Sequence, residues 1–418
     1  MGTVPVPVPD FDPRAVPERN DMTHDTDPDA AQRAERAYDD LVALVQHGPR
    51  FHGTPGIAAA GDWLEQRLTA VGWPVARQPV TLPGWQPGRV PRVTVQQPIA
   101  RDLPAWPMLW SGSTDGPRRG TVEAVGPQGL WGDSMVWQKF VVRGDDGDVV
   151  AYLHARDDGP AAPQPLPSGS DHDVAHLALG RLDGLQLTEW ITDGKPVVLE
   201  VEADSGPVEA ATSDNLIVDV PGTGEGSVLL CAHYDSFFNT VGAYDNGSGT
   251  IALLQLAERW AAAPPVASVR LVFFTAEEWH LGGSRHFVDS ASTDELDAID
   301  YVLNVDGLGR GSFVEAFGAP EAFSTAFRGA LLRHAAETRP DLQLVTRFPP
   351  TTGTDDASFY RAGVPSAFLT FNDLHRLHQP DDEPNRGIAA NVAWTVPLVE
   401  HLVASLTRPT RAAPPGVL

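Results

Sequence analysis

The 418-residue sequence holds a single cysteine, Cys231. That count excludes an internal disulfide framework and a cysteine-rich zinc site. Cys231 itself sits in an apolar run and reads as core, because a free cysteine behaves as a small buried apolar side chain. Lysine is nearly absent: Lys139 and Lys195 are the only two, and arginine supplies the other cations. Against 30 Lys and Arg stand 55 Asp and Glu, a formal net charge of −25. This balance argues against nucleic acid and anionic membrane as partners, since both require a basic face. No apolar run reaches the roughly 18 residues of a membrane span. The opening segment, MGTVPVPVPDFDPRAVPERND, has neither a basic amino end nor an apolar stretch. No secretory signal is read there, and a cytoplasmic protein is expected.

What remains is ample for a folded core, with 42% apolar residues. The length suggests two domains, or one large α/β domain with an insert. Residues 1–28, rich in Pro, Asp and Val without periodicity, read as a disordered extension. Two amphipathic helices follow. Ala34, Ala37, Tyr38, Leu41, Leu44 and Val45 share one face of the first, and Thr54-Pro55 opens a second that closes at Gly72. From 88 to 194 the texture changes to short β-like runs between Pro and Gly clusters, with a long loop over 158–171, so this segment reads as an inserted, mostly β domain. Trp106, Trp110, Trp131 and Trp137 are expected in its core. Segments 29–87 and 195–408 then form the main domain, with strands at 195–202 and 215–220 leading back to its sheet, and 409–418 is a tail.

The chain is organised around VLLCAHYDSFFNTVGAYDNGSG, residues 228–249. An apolar strand delivers His233 and Asp235 just past its carboxyl end, where open α/β sheets hold their ligands. Asp245 follows on a glycine-bounded loop, at the amino end of a helix carrying Ile251, Leu253, Leu254, Leu256 and Trp260. Strand and helix then alternate regularly to the end of the chain. The pattern predicts an α/β fold with a mostly parallel, doubly wound sheet and helices on both faces.

Further strands end in acids or histidine: Glu277 and Glu278 after VRLVFFTA, Asp306 after YVLNV, and His378 beyond SAFLTF. Singly, such residues are solvated loop positions more often than ligands. Their recurrence at strand carboxyl ends, which doubly wound topology gathers on one rim, is the signal. Two His and several carboxylates suit Zn²⁺ or a similar divalent ion held by N and O donors. A loop carboxylate such as Asp245 can bridge two ions, while one of two adjacent acids binds metal and its neighbour accepts a proton.

HYDS, GAYDNGSG, FFTAEEWHLGGSRHF, NVDGLG, TDDASFYRAGVPS and LHQPDDE together resemble the successive motifs of the two-zinc aminopeptidase family, which includes bacterial leucyl aminopeptidases, plasma glutamate carboxypeptidase and glutaminyl cyclases. The resemblance implies two zinc ions per chain. His233, Asp245 and Asp306 would hold one; Asp245, Glu278 and His378 would hold the other. Glu277 would be the general base, and Asp235 would orient His233. It further implies hydrolysis of amino-terminal peptide bonds, a protease-associated-like insert, and a cis peptide between Asp245 and Asn246. Peptides are the expected substrates. A dipeptidase or carboxypeptidase on the same site, a cyclase-like protein and a non-catalytic scaffold are the alternatives. Where some members carry Tyr as an oxyanion donor this chain has Leu377, and His280 replaces a usual Gly. His375 lies near His378, but H-Q-P-D-D points to His378. Asp355 and Asp356 are expected to be structural or substrate-facing.

Overall fold

The computed structural model describes residues 28–130, 135–347 and 353–406. The extension ahead of Pro28, the tail over 409–418 and Trp131 lie outside them. Two eight-stranded sheets account for the described strands. The main sheet runs in the order Ala76–Gln86, Gly206–Val220, Ser268–Phe274, Ser227–His233, Tyr301–Leu308, Ser366–Phe371, Phe313–Ala319, Gln343–Arg347. Its four central strands, from Ser268–Phe274 to Ser366–Phe371, are mutually parallel, and the strand on each side joins them antiparallel. Beyond those joins Ala76–Gln86 runs antiparallel to its neighbour and Gln343–Arg347 parallel to its own, so the sheet is the expected mostly parallel α/β architecture.

The apolar runs dictate the two layers of helices. Along Ser227–His233 every residue from Val228 onward is buried, so the strand can face water on neither side. Val228, Leu230 and Ala232 point into a large core shared with helices Pro28–Val45, Pro55–Ala70, Ser248–Ala262, Glu321–Thr338 and Arg386–Ser405. Leu229 and Cys231, on the opposite face, pack with Phe287 and Phe359 from helices Gly282–Ser290 and Asp356–Arg361. In Ser248–Ala262, Ile251, Leu253, Leu254 and Leu256 are fully buried, each contributing roughly 1.5–3 kcal/mol. Helix Arg386–Ser405 is long and apolar enough to cross a bilayer by length and composition, yet 67% of its most apolar window is buried in this core. Asn385 caps it, accepting the amides of Gly387 and Ile388.

The second sheet is the insert, in the order Arg101–Leu103, Arg92–Gln97, Val198–Glu202, Arg118–Gly129, Val136–Arg143, Val149–Ala155, Ala175–Leu179, Ala105–Pro107. Its only described helix within those bounds is Arg181–Thr192. Val198–Glu202 therefore belongs to the insert and not to the main sheet, which moves the far boundary from 194 to beyond 202. The cause is its alternation: Leu199 and Val201 face the insert's core, beside Val93, Val95 and Phe140. Trp137 is buried in the insert as expected. Trp110 is not a core residue of the insert alone; it meets Trp279 of the main domain edge-on at 5.3 Å.

Candidate active site

The central parallel strands end side by side, and their carboxyl ends carry the acids and histidines singled out in the sequence. His233 closes its strand, Asp306 lies within Tyr301–Leu308, Glu277 and Glu278 follow Ser268–Phe274, and His378 follows Ser366–Phe371. Asp245 precedes helix Ser248–Ala262 in a non-helical stretch, with φ −113° and ψ 101°. The peptide between Asp245 and Asn246 is cis.

Two groups of buried N and O donors form among the described residues: His233, Asp245 and Asp306, and Asp245, Glu278 and His378. Asp245 belongs to both. One of its oxygens lies 3.1 Å from His233 Nε2, and the other lies 3.3 Å from His378 Nε2. Asp306 Oδ1 approaches His233 Nε2 at 3.3 Å, and Glu278 Oε2 approaches His378 Nε2 at 3.0 Å. Each histidine thus turns Nε2 to two carboxylates. Glu277 is half-buried beside them. His375 is largely exposed and pairs with Asp158, so His378 is the histidine brought to the cluster.

Such a donor set fits divalent cations. Burial drives the Glu278 carboxyl up to about 7 and raises Asp306, while for Asp245 hydrogen bonds from His233 and His378 overcome burial and hold it below the usual range. Burial also pushes Glu277 well up. Burial thus raises three of these carboxyls, against the opposing pull of the two imidazoles and with the buried Arg50 guanidinium close enough to interact with Asp245 and Glu278. Glu278 Oε1 is buried with no protein partner. Two dications among two imidazoles and three carboxylates would satisfy it with N and O donors of the kind zinc takes.

Neighbouring residues fix these donors. Asp235 accepts the amides of Glu277 (3.1 Å) and Glu278 (3.2 Å) and stands 3.4 Å from His233 Nδ1, so one carboxylate ties the two acids to the histidine. Asn246 gives Nδ2–H to Val305 O at 3.0 Å and accepts the amides of Gly249 and Gly307. It thereby locks the backbone beside Asp245 to the backbone beside Asp306. Gly249 is required by the same contact: a Cβ there would lie 2.2 Å from Val305 O. Leu377 is buried in the main core and offers no oxyanion donor. Asp355 and Asp356 are both buried; Asp356 bonds Thr354 Oγ1 at 2.5 Å, and burial lifts Asp355 to about 8.

Two supporting residues escaped the sequence. Asp382 accepts the amides of Tyr244 and Asp245; it lies in the quoted LHQPDDE motif, where attention fell on the histidine. Arg50 is wholly buried and donates to the carbonyls of Tyr234, Val241 and Gly242, clamping the loop between His233 and Asp245. An arginine in the short linker between the first two helices was its only trace.

Comparison with known proteins finds peptidases. Residues 215–401 match peptidase family M28. The chain is 27% identical over 313 residues to an aminopeptidase of Pseudomonas aeruginosa, covering 65% of this chain and 56% of that protein. It is 33% identical over 148 residues to aminopeptidase YwaD of Bacillus subtilis, covering 35% and 31%. The chain thus spans about half the length, or less, of these relatives. In fold it is similar to a peptidase M28 precursor from Shewanella amazonensis, with TM-score 0.72 and 22% identity over 92% of this chain and 98% of that one. A zinc aminopeptidase from Bacillus subtilis superposes with TM-score 0.64 and 20% identity, over 88% and 94%.

Proposed function

We propose that the protein, whose residues 215–401 match peptidase family M28, is a zinc-dependent exopeptidase that removes amino-terminal residues from peptides, with two zinc ions per chain. One observation carries this: Asp245 presents one oxygen to each histidine, between two buried donor groups that share no other residue. His233, Asp245 and Asp306 would hold one ion, and Asp245, Glu278 and His378 the other. Bound there, zinc supplies Lewis-acid polarisation of the scissile carbonyl and lowers the pKa of water. Glu277 takes the proton of the attacking water and returns it to the leaving amine. Asp235 holds the two glutamates by their amides while orienting His233. The amino end is favoured because a free ammonium group is attracted to an acid-lined site in a chain of net charge −25. The insert, a mixed sheet with one helix, is taken as a protease-associated-like module on the strength of the motif resemblance.

The test is a panel of aminoacyl anilides alongside their amino-acetylated counterparts, with the zinc-loaded full chain. Cleavage of the free-amine substrates alone is expected. Cleavage of only the blocked ones would transfer the site to a dipeptidase or carboxypeptidase role. Inertness towards both, in a chain carrying two zinc ions, would remove the peptidase assignment.

A further inference from the structure

Resting on the zinc site proposed above, we infer that the insert completes the metal cradle: a clasp from residues 156–163 positions His378 and fixes its tautomer. His233 and His378 are oriented from different places. The group facing His233 Nδ1 is the carboxylate of Asp235, 3.4 Å away and two residues along the same segment. The partner of His378 Nδ1 is the carbonyl of Pro163, at 2.9 Å, and Pro163 lies in the insert. A carbonyl only accepts, so Nδ1 carries the proton and Nε2 keeps its lone pair, turned to Asp245 and Glu278.

The remaining contacts grip the loop on either side of that histidine. Arg156, buried at the end of Val149–Ala155, donates through Nη2 to Leu374 O at 3.3 Å and to Asp158 Oδ1 at 2.9 Å. Asp158 Oδ2 meets His375 Nδ1 at 3.0 Å. Gln379 Nε2 reaches Pro160 O at 3.3 Å. Four contacts therefore cross from the insert to residues 374–379. On the main-domain side, Asn239 donates to His378 O at 2.9 Å, and the Phe237 ring stacks on the imidazole at 4.0 Å. His378 also has φ +54°, a left-handed backbone that a side-chain-bearing residue keeps only where its surroundings over-determine it. The clasp adds to that determination from the insert's side. Arg156, Asp158 and Pro163 are positioning groups; none touches the donors' shared space.

The experiment measures stepwise zinc affinities of the full chain by competition with a chromophoric chelator, for wild type, Arg156→Met, Arg156→Lys and Asp158→Ala. The melting temperature of each metal-free protein serves as the fold control. Arg156→Met and Asp158→Ala are expected to keep one zinc equivalent at wild-type affinity and to bind the other 10- to 100-fold more weakly, with Arg156→Lys recovering part of the loss. Asp158 is partly exposed, so its variant decides the matter if Arg156→Met fails to fold. Wild-type affinity for both equivalents in a normally melting Asp158→Ala protein would overturn the clasp and leave the zinc site intact. A wild-type chain that takes up no zinc would instead overturn the proposed function, and this inference with it.

Discussion

The carboxylate of Asp382 takes two consecutive backbone amides, Tyr244 N on one oxygen at 2.8 Å and Asp245 N on the other at 3.1 Å. Asp382 is fully buried, so these bonds hold the backbone of Asp245, the residue common to both donor groups, from behind. Replacing it by Ala orphans two buried donors, at on the order of 1–3 kcal/mol each. Asp382→Ala is expected to lower the melting temperature and weaken zinc about 10- to 100-fold. Asp382→Asn, which keeps one acceptor oxygen, should fall between. Chelator competition on the two variants checks the order.

Glu277 is half-buried beside the donor groups but belongs to neither of them. Glu277→Gln should therefore keep its full zinc content while kcat falls by about 10²- to 10⁴-fold, the usual worth of a general base. Metal analysis and steady-state kinetics on one preparation test both halves. Retained turnover would assign the proton transfer elsewhere.

Stripping the metal should destabilise the protein, since cations bind the assembled donors and not the unfolded chain. With free zinc at 100 times the dissociation constant, the difference is about 2.7 kcal/mol. Melting temperature should fall on dialysis against a chelator and recover on adding zinc. A melting temperature indifferent to zinc would argue against the donor groups as ion sites.

Gly249 sits where helix Ser248–Ala262 meets strand Tyr301–Leu308. A Cβ would stand 2.2 Å from Val305 O and 2.5 Å from Asn246 Oδ1, both held in place by hydrogen bonds. Gly249→Ala is expected to lose about 1–3 kcal/mol by overpacking, and to loosen zinc because Asn246 couples the Asp245 and Asp306 segments. Denaturant unfolding with parallel zinc titration measures both.

Inside the insert, His154 Nε2 and His176 Nδ1 lie 3.0 Å apart, and His176 Nε2 faces Asp171 O at 2.9 Å. Asp171 O only accepts, so His176 Nε2 donates to it, its Nδ1 is an acceptor, and His154 donates to that Nδ1. Burial pushes His176 down to about 4 and His154 well below its ordinary value. In each case the unfolded chain takes the proton first, so stability is complete above the ordinary histidine value of about 6.5 and declines as pH falls from there toward 4. The slope is at most roughly 1.4 kcal/mol per pH unit per histidine. A His154→Phe, His176→Phe double variant should show a shallower loss of stability than wild type between pH 7 and pH 5, by denaturant unfolding.

The clustering of these donors was legible because they obey a positional rule: His233, Glu278, Asp306 and His378 each come after a strand-forming run, and topology does the rest. The insert boundary was not. Val198–Glu202 reads as a strand, but nothing in VLEVE states which of two sheets it joins, and only the apolar face offered by Val93 and Phe140 decides. Asp382 and Arg50 were hidden for a different reason. Their partners are backbone amides and carbonyls, which leave no mark in side-chain patterns. Pro163 acts through its carbonyl, a group every residue has, and so its role could not be read from residue type at all.

The order of strands across the main sheet differs from the order in which they are synthesised. Ser227–His233 is bordered by two strands made after it, and the last ligand trails Ser366–Phe371, far downstream. The antiparallel pairing of Ala76–Gln86 with Gly206–Val220 spans the whole insert, and the parallel pairings on either side of Tyr301–Leu308 wait for strands further downstream, all of them slow contacts to make. The group of His233, Asp245 and Asp306 is encoded by residue 306, whereas that of Asp245, Glu278 and His378 waits for the last strand, so a nascent polypeptide halted before residue 366 carries the first set of donors without the second.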